Sequence, residues 1–110
     1  MKDTFDRIKE LVKSGDVKFS EHGYDELAED DLTVREIVKS VENSVLVEDY
    51  PSFPKGASVL LLQTDKHQNP VHVVWGIPKS KDKPAFLVTA YRPDPKRWNI
   101  TFTERKNEKT

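Results

Sequence analysis

The chain of 110 residues is long enough for one domain with a hydrophobic core and too short for two. Hydrophobic residues make up 35% of it and cluster in runs, which excludes a disordered chain. Cysteine is absent, which excludes disulfides and thiolate metal sites. No apolar run approaches the ~20 residues of a membrane span, and the first residues lack the apolar core of a signal peptide. We therefore expect a cytoplasmic protein that does not bind membranes.

The net charge of −1 conceals an uneven distribution. Residues 1–78 contain 9 Lys+Arg and 15 Asp+Glu, which gives −6, whereas residues 79–110 contain 9 and 4, which gives +5. Such a split indicates either an acidic and a basic face, suited to a polyanion or another charged partner, or a mixed surface without a specific role.

Three stretches have the pattern of short amphipathic helices. The first covers residues 3–13, with apolar residues at helical spacing and a stop at Ser14-Gly15. In the second, Ser20 is a candidate N-cap for a helix that runs to about Asp30. The third begins at a capping box, Thr33-Val-Arg-Glu36. Its apolar residues follow at positions i, i+3, i+4 and i+7, namely Val34, Ile37, Val38 and Val41.

The later part of the chain has the composition of strands. Four stretches rich in β-branched and aromatic residues predict strands at 44–50, 58–64, 70–77 and 84–91. Residues 16–19 are predicted to be a brief extended segment leading to Ser20. Helices followed by a meander of strands predict an α+β fold, in which N-terminal helices pack on a four-stranded antiparallel sheet. We expect a single domain over residues 1–105 and a frayed tail over residues 106–110.

The last two predicted strands form a hairpin around a basic loop. If the turn lies at the centre of that loop, Trp75 faces Phe86, whereas His72, Leu87 and Tyr91 share the other side. A slip of one residue would exchange the two faces.

Several motifs then occur in one order along the chain: Phe19-Ser-Glu-His22, Asp31-Leu-Thr33, Glu48-Asp-Tyr-Pro51, Val71-His-Val-Val74 and Tyr91-Arg-Pro-Asp-Pro-Lys-Arg-Trp98. Together, over residues 4–105, they resemble the bacterial family catalogued as domain of unknown function 4258. That family is grouped by resemblance with the RelE-like, barnase–EndoU–colicin-type ribonuclease fold. The resemblance implies a toxin that cleaves RNA without a metal ion or other cofactor, with RNA and a zinc-finger antitoxin-like protein as partners.

This chain departs from the wider family in the helix after the histidine. Many members of the wider family carry arginines in the helix after the histidine, where this chain has Glu26 and Asp30. A carboxylate at these positions would repel phosphate rather than bind it.

Two histidines are candidates for acid–base chemistry. RNA cleavage without a metal needs a base for the 2′-hydroxyl and an acid for the leaving 5′-oxygen. His22 lies in the first turn of a helix, where backbone N–H groups can also hold a phosphate. His72 lies between two valines and must find a partner or face a cleft. For both, the alternative is a structural histidine. His67 lies in a polar turn, and no histidines have metal-ligand spacing, so we expect no metal site.

The segment that follows the last strand is both basic and aromatic. Tyr91 could orient a phosphate or base and is the third candidate catalytic residue, while Arg92, Lys96 and Arg97 could bind phosphates, with Trp98 as a stacking surface. The alternative is a structural corner, in which Tyr91 and Trp98 clamp the tail to the sheet.

Two hypotheses about function follow. The first is a toxin-like endoribonuclease of a toxin–antitoxin pair, or its inactive descendant, with His22 and His72 as acid and base. The second is a non-catalytic domain that binds a partner protein through the acidic helix of residues 21–31 or through an exposed sheet edge.

Overall fold

The computed structural model describes residues 3–106 and contains three helices and five strands. Each predicted helix is confirmed, and Asp3, Ser20 and Thr33 accept the N-cap hydrogen bonds, the last within the predicted capping box. None of the described helices is long and apolar enough to cross a bilayer. The elements are α1 (Thr4–Lys13), β1 (Val17–Phe19), α2 (Glu21–Glu29), α3 (Val34–Ser40), β2 (Val45–Tyr50), β3 (Ser58–Thr64), β4 (Pro70–Gly76) and β5 (Ala85–Tyr91).

The prediction of a four-stranded antiparallel sheet is wrong, because the sheet has five strands and is mixed. The strand order is β1-β5-β4-β3-β2, and β1 pairs with β5 in parallel. Strand β1 has only three residues, too few to show a strand pattern, and its partner is about 68 residues later in the chain. The α+β class and the antiparallel meander from β2 to β5 agree with the structure.

The hydrophobic core lies between one face of the sheet and the helices. It includes Ile8 of α1, Leu27 of α2 and Ile37 of α3, all buried against alternate residues of the central strands. From β3 and β4 these are Val59, Leu61, Val71, Val73 and Trp75. Because side chains alternate along a strand, the residues between them face the other way. We call this the second face; it carries Leu60 and Leu62 of β3 and His72, Val74 and Gly76 of β4.

The hairpin of β4 and β5 has a different register from the predicted one. Trp75 pairs with Leu87, so Leu87 lies in the core and not beside His72. The register shifts between Val74 and Trp75, which leaves Val88 as an extra residue on β5. Beyond the bulge, His72 pairs with Tyr91, and both lie on the second face, as the prediction that they share a side requires.

The chain beyond β5 folds back over the second face. Trp98 and Arg105 form an antiparallel bridge, and the amide of Lys106 donates to the carbonyl of Arg97 at 2.9 Å. The Asn99 side chain accepts amide hydrogen bonds inside this loop. We call residues 97–106 the strap. The predicted end of the domain at residue 105 falls within it, and residues 107–110 of the predicted tail lie outside the described residues.

Candidate functional site

His22 is the accessible candidate among the predicted catalytic residues. Its side chain is 73% exposed, and its Nε2 lies 3.0 Å from Glu26 Oε1 across one turn of α2. Glu26 is partly buried and also accepts a hydrogen bond from Thr89 Oγ1 of β5. The carboxylate beside Nε2 favours the tautomer with the proton on that nitrogen, in which the lone pair of the neutral ring lies on Nδ1. The three side chains thus form a series of contacts that ends in an exposed imidazole.

The start of α2 is held close against β5. The Ser20 hydroxyl accepts from the amide of Gly23 at 2.8 Å and donates to the carbonyl of Val88 at 3.0 Å. A Cβ at Gly23 would lie 2.7 Å from Leu87 Cδ2 and 3.1 Å from the Leu87 carbonyl oxygen. Glycine therefore permits the close approach that brings Glu26 within reach of Thr89.

A groove of about 310 Å³ lies on the second face, and its lining includes Ser20 and Val88, near His22 and Thr89 in sequence. The buried Ser58 and Gly76 and Phe53 of the β2–β3 loop also line it. Phe53 is 52% exposed, an unusual position for a large apolar ring. Phe86, which was predicted to face Trp75 and instead pairs with Gly76, also lines the groove.

Three lysines lie in or next to this groove. Lys55 lines it, and Lys79 and Lys81 line the adjoining depression between the β2–β3 and β4–β5 loops. The side chains of these three lysines make no ion pair within residues 3–106. The groove thus combines exposed aromatic and apolar surface with unpaired positive charge, the combination that suits a single-stranded polyanion with stacking bases.

His72, in contrast, is fully buried under the strap. Its Nε2 lies 2.8 Å from the carbonyl oxygen of Phe102 and must donate, so Nδ1 accepts from the Tyr91 hydroxyl at 3.2 Å. Its ring meets those of Trp98 and Tyr91 edge to face, at 4.4 and 5.3 Å. Burial lowers the pKa of His72 and raises that of Tyr91. Both ring nitrogens of His72 are therefore occupied in joining the strap to the sheet.

An ion pair also joins the strap to β2. Arg105 donates to both carboxylate oxygens of Glu48, at 2.8 and 3.0 Å, and its guanidinium lies 4.9 Å from the ring centroid of Trp98. Tyr50 donates to the same carboxylate. The hydrogen bonds from Arg105 lower the pKa of Glu48 although burial opposes the shift. Trp98 is buried between these groups, as expected for the structural corner that was the alternative prediction.

The predicted phosphate-binding residues do not gather around His22. Arg92 pairs with the buried Asp65 at 2.9 Å and donates to the carbonyl of Asp30, at the opposite end of α2 from His22. Lys96 and Arg97 are exposed, and their backbone amides close a turn on Asp94. Tyr91 lies nearer to the side chains around His22. Thr89 and Tyr91 pair with Val74 and His72 of β4, so the two residues are roughly 7 Å apart along β5.

Several residues of this site were not predicted. The spacing of His22 and Glu26 is i, i+4, a signal that the sequence contains, whereas the contact with Thr89 joins residues 63 positions apart. Phe53 and Lys55 lie in a loop without a motif. Among the described residues no group of three or more His, Asp or Glu side chains is placed to hold a metal ion.

Comparison with known proteins yields one match. A family model described as a domain of unknown function (DUF4258) matches residues 19–92, which include α2, the four-stranded meander and the start of the segment after β5. No curated protein and no solved structure matches significantly.

Proposed function

This chain belongs to the DUF4258 family, and we propose that it is an endoribonuclease in which His22 is the general base and no metal ion takes part. The observation that carries the proposal is the series of contacts from the exposed His22 to Glu26 and from Glu26 to Thr89. An exposed imidazole with one nitrogen beside a carboxylate suits general-base catalysis. The grouping of this family, by resemblance, with the RelE-like ribonuclease fold supports the same reaction class.

In the proposed reaction, Nδ1 of His22 takes the proton of a ribose 2′-hydroxyl. The resulting oxygen attacks the adjacent phosphorus, the bond from phosphorus to the 5′-oxygen breaks, and water in the open groove protonates that oxygen. The products are a 2′,3′-cyclic phosphate and a 5′-hydroxyl. Glu26 stabilises the imidazolium that forms, and Lys55 and Lys79 offset the phosphate charge. Phe53 gives a flanking base a surface for stacking.

The role of Glu26 accounts for the departure from the wider family. A carboxylate that repels phosphate is unfavourable on an exposed helix, but here its Oε1 is occupied by His22 and Thr89. We propose that Glu26 orients the base and that the lysines of the two loops replace the missing arginines. A cytoplasmic location, where RNA is available, is part of this proposal.

Cleavage of a fluorescent single-stranded oligoribonucleotide in EDTA tests the proposal. We expect His22→Ala to reduce the rate at least about 100-fold, because it removes the base, and Glu26→Gln to reduce it less. His67→Ala, which changes another exposed histidine, should cleave at the wild-type rate. An all-deoxy substrate should remain intact because it lacks the nucleophile. An inactive wild type, or a folded His22→Ala variant with the wild-type rate, would contradict the proposal.

A second candidate function, binding of a partner protein, is favoured by the outer edge of β2. That strand is at the end of the sheet, without a neighbour among the described residues, and Val45 and Leu46 are exposed there. The resemblance suggests a zinc-finger antitoxin-like protein as the partner. A stable complex formed by a wild type that lacks ribonuclease activity would favour this candidate.

A further inference from the structure

A second recess lies away from the groove, at the other end of β3. Strand β2 begins at Val45, which pairs with Leu62, so the last residues of β3 have no β2 residue beside them. Helix α3 and the β3–β4 turn border the gap and enclose a cavity of about 590 Å³. We call it the α3–β3 notch. Its size is that of pockets that hold small molecules.

Three cations line the notch: Arg35 and Lys39, which are one turn apart on α3, and Lys66 of the turn. All three are exposed, and within residues 3–106 their side chains form no hydrogen bond or ion pair. Asn43 and Gln68 add neutral side-chain donors to the same lining. Within residues 3–106 the notch thus has side-chain donors without a protein acceptor, and of its three cations only Lys66 interacts with a carboxylate of the lining, that of Glu36, through its charge.

The two carboxylates of the notch are already engaged. Glu36 accepts from the amide and hydroxyl of Thr33, at 2.7 and 2.8 Å, and from the amide of Lys66 at 2.8 Å. Asp65 is paired with Arg92, which offsets its charge. The bond between Glu36 and Lys66 also fixes the turn against α3. The backbone of Lys66 is therefore held next to the helix that carries the other two cations.

We propose that the α3–β3 notch binds the phosphate groups of a phosphorylated ligand. The guanidinium of Arg35 suits two phosphate oxygens at once, and the two lysines supply charge for a second group. The lining carries three cations and several neutral polar side chains, which can bind an anion. None of its residues belongs to the His22 cluster or to the groove, so this site is independent of the proposed ribonuclease activity.

Titration calorimetry of the full chain with inorganic pyrophosphate at low ionic strength tests the proposal, because salt screens exposed charges. We expect saturable binding at one site, weakened at least about tenfold in Arg35→Ala and in Lys39→Ala. Lys18→Ala removes an exposed lysine of β1 outside the notch and should bind like the wild type. Absence of saturable binding to the wild type, or equal affinity of Arg35→Ala and Lys18→Ala, would overturn the proposal.

Two further measurements test whether this site is separate from the groove and whether the bound phosphates belong to RNA or to a small molecule. His22→Ala should bind pyrophosphate like the wild type, and Arg35→Ala should retain any ribonuclease activity. Displacement of pyrophosphate by an oligoribonucleotide would assign the notch to RNA phosphates, and undisturbed binding would assign it to a small phosphorylated molecule. Loss of pyrophosphate binding in His22→Ala would contradict a separate site.

Discussion

Asp65→Asn should lower the free energy of unfolding by about 2 kcal/mol, since it breaks the ion pair between a buried carboxylate and a partly exposed guanidinium. The Asp65 side chain is only 3% exposed, whereas that of Arg92 is 38% exposed. Besides Arg92, the carboxylate accepts the amides of His67 and Asn69 at 2.8 and 2.9 Å. The substitution leaves Arg92 without its partner and removes the charge that organises the β3–β4 turn. Urea denaturation of both proteins at pH 7 measures the difference.

The same carboxylate makes stability depend on acid pH. Burial alone would raise the pKa of Asp65, but hydrogen bonds from Asn69, Arg92 and His67 outweigh it and lower the pKa to about 2. Because the folded-state pKa is below the unfolded value, the contribution is complete above about pH 4 and is lost as the pH falls towards 2. Asp65→Asn should lack this loss.

Asp82→Asn is the matched control, because Asp82 is a fully exposed carboxylate with only a 4.0 Å contact to Arg7. It should change stability by less than about 0.5 kcal/mol. Equal stability of the two variants at pH 7 would show that the pair of Asp65 and Arg92 is not what holds the turn. Arg92 would then be available for the phosphate-binding role that its sequence position first indicated.

The elements with strong local signals were predictable from the sequence. The capping box at Thr33 fixes the start of α3, and the β-branched runs mark β3 and β4, because these patterns depend on neighbours in the chain. Strand β1 was missed as a sheet member because its pairing with β5 depends on contacts distant in sequence. The bulge at Val88, which sends Leu87 into the core, has no local marker either.

The candidate site was predictable only where its residues are neighbours in the chain. His22 follows an N-cap serine, a pattern visible in the sequence, and its partner Glu26 is one turn later. Burial of His72 depends on the strap, whose placement is set by contacts of Phe102 and Arg105 with strands 30 and 57 residues earlier. Composition identified a basic segment after β5 but could not show that Arg92 would form an ion pair with Asp65.

His72→Ala should lower the free energy of unfolding by about 3 kcal/mol and loosen the strap. The substitution removes two hydrogen bonds, each worth about 1 kcal/mol, and leaves a cavity between the rings of Tyr91 and Trp98. Without the bond to the Phe102 carbonyl, the ion pair of Arg105 with Glu48 is the main remaining side-chain link between strap and sheet. Trp98 should become accessible, which acrylamide quenching of tryptophan fluorescence measures, while Trp75 stays buried.

The pH dependence of the free energy of unfolding distinguishes the hydrogen bonds of neutral His72 from its packing contacts. Because burial lowers the pKa of folded His72, the unfolded chain binds its proton more readily. The contribution of His72 to stability is therefore complete above the unfolded value of about 6.5 and declines as the pH falls below it. Wild type should lose stability between pH 7.5 and 5.5, and His72→Ala should lose less. His67→Ala, altered in an exposed turn, should keep the wild-type slope. An unchanged slope in His72→Ala would mean that the imidazole is not held neutral beneath the strap, and the strap would then have to be held chiefly by Arg105.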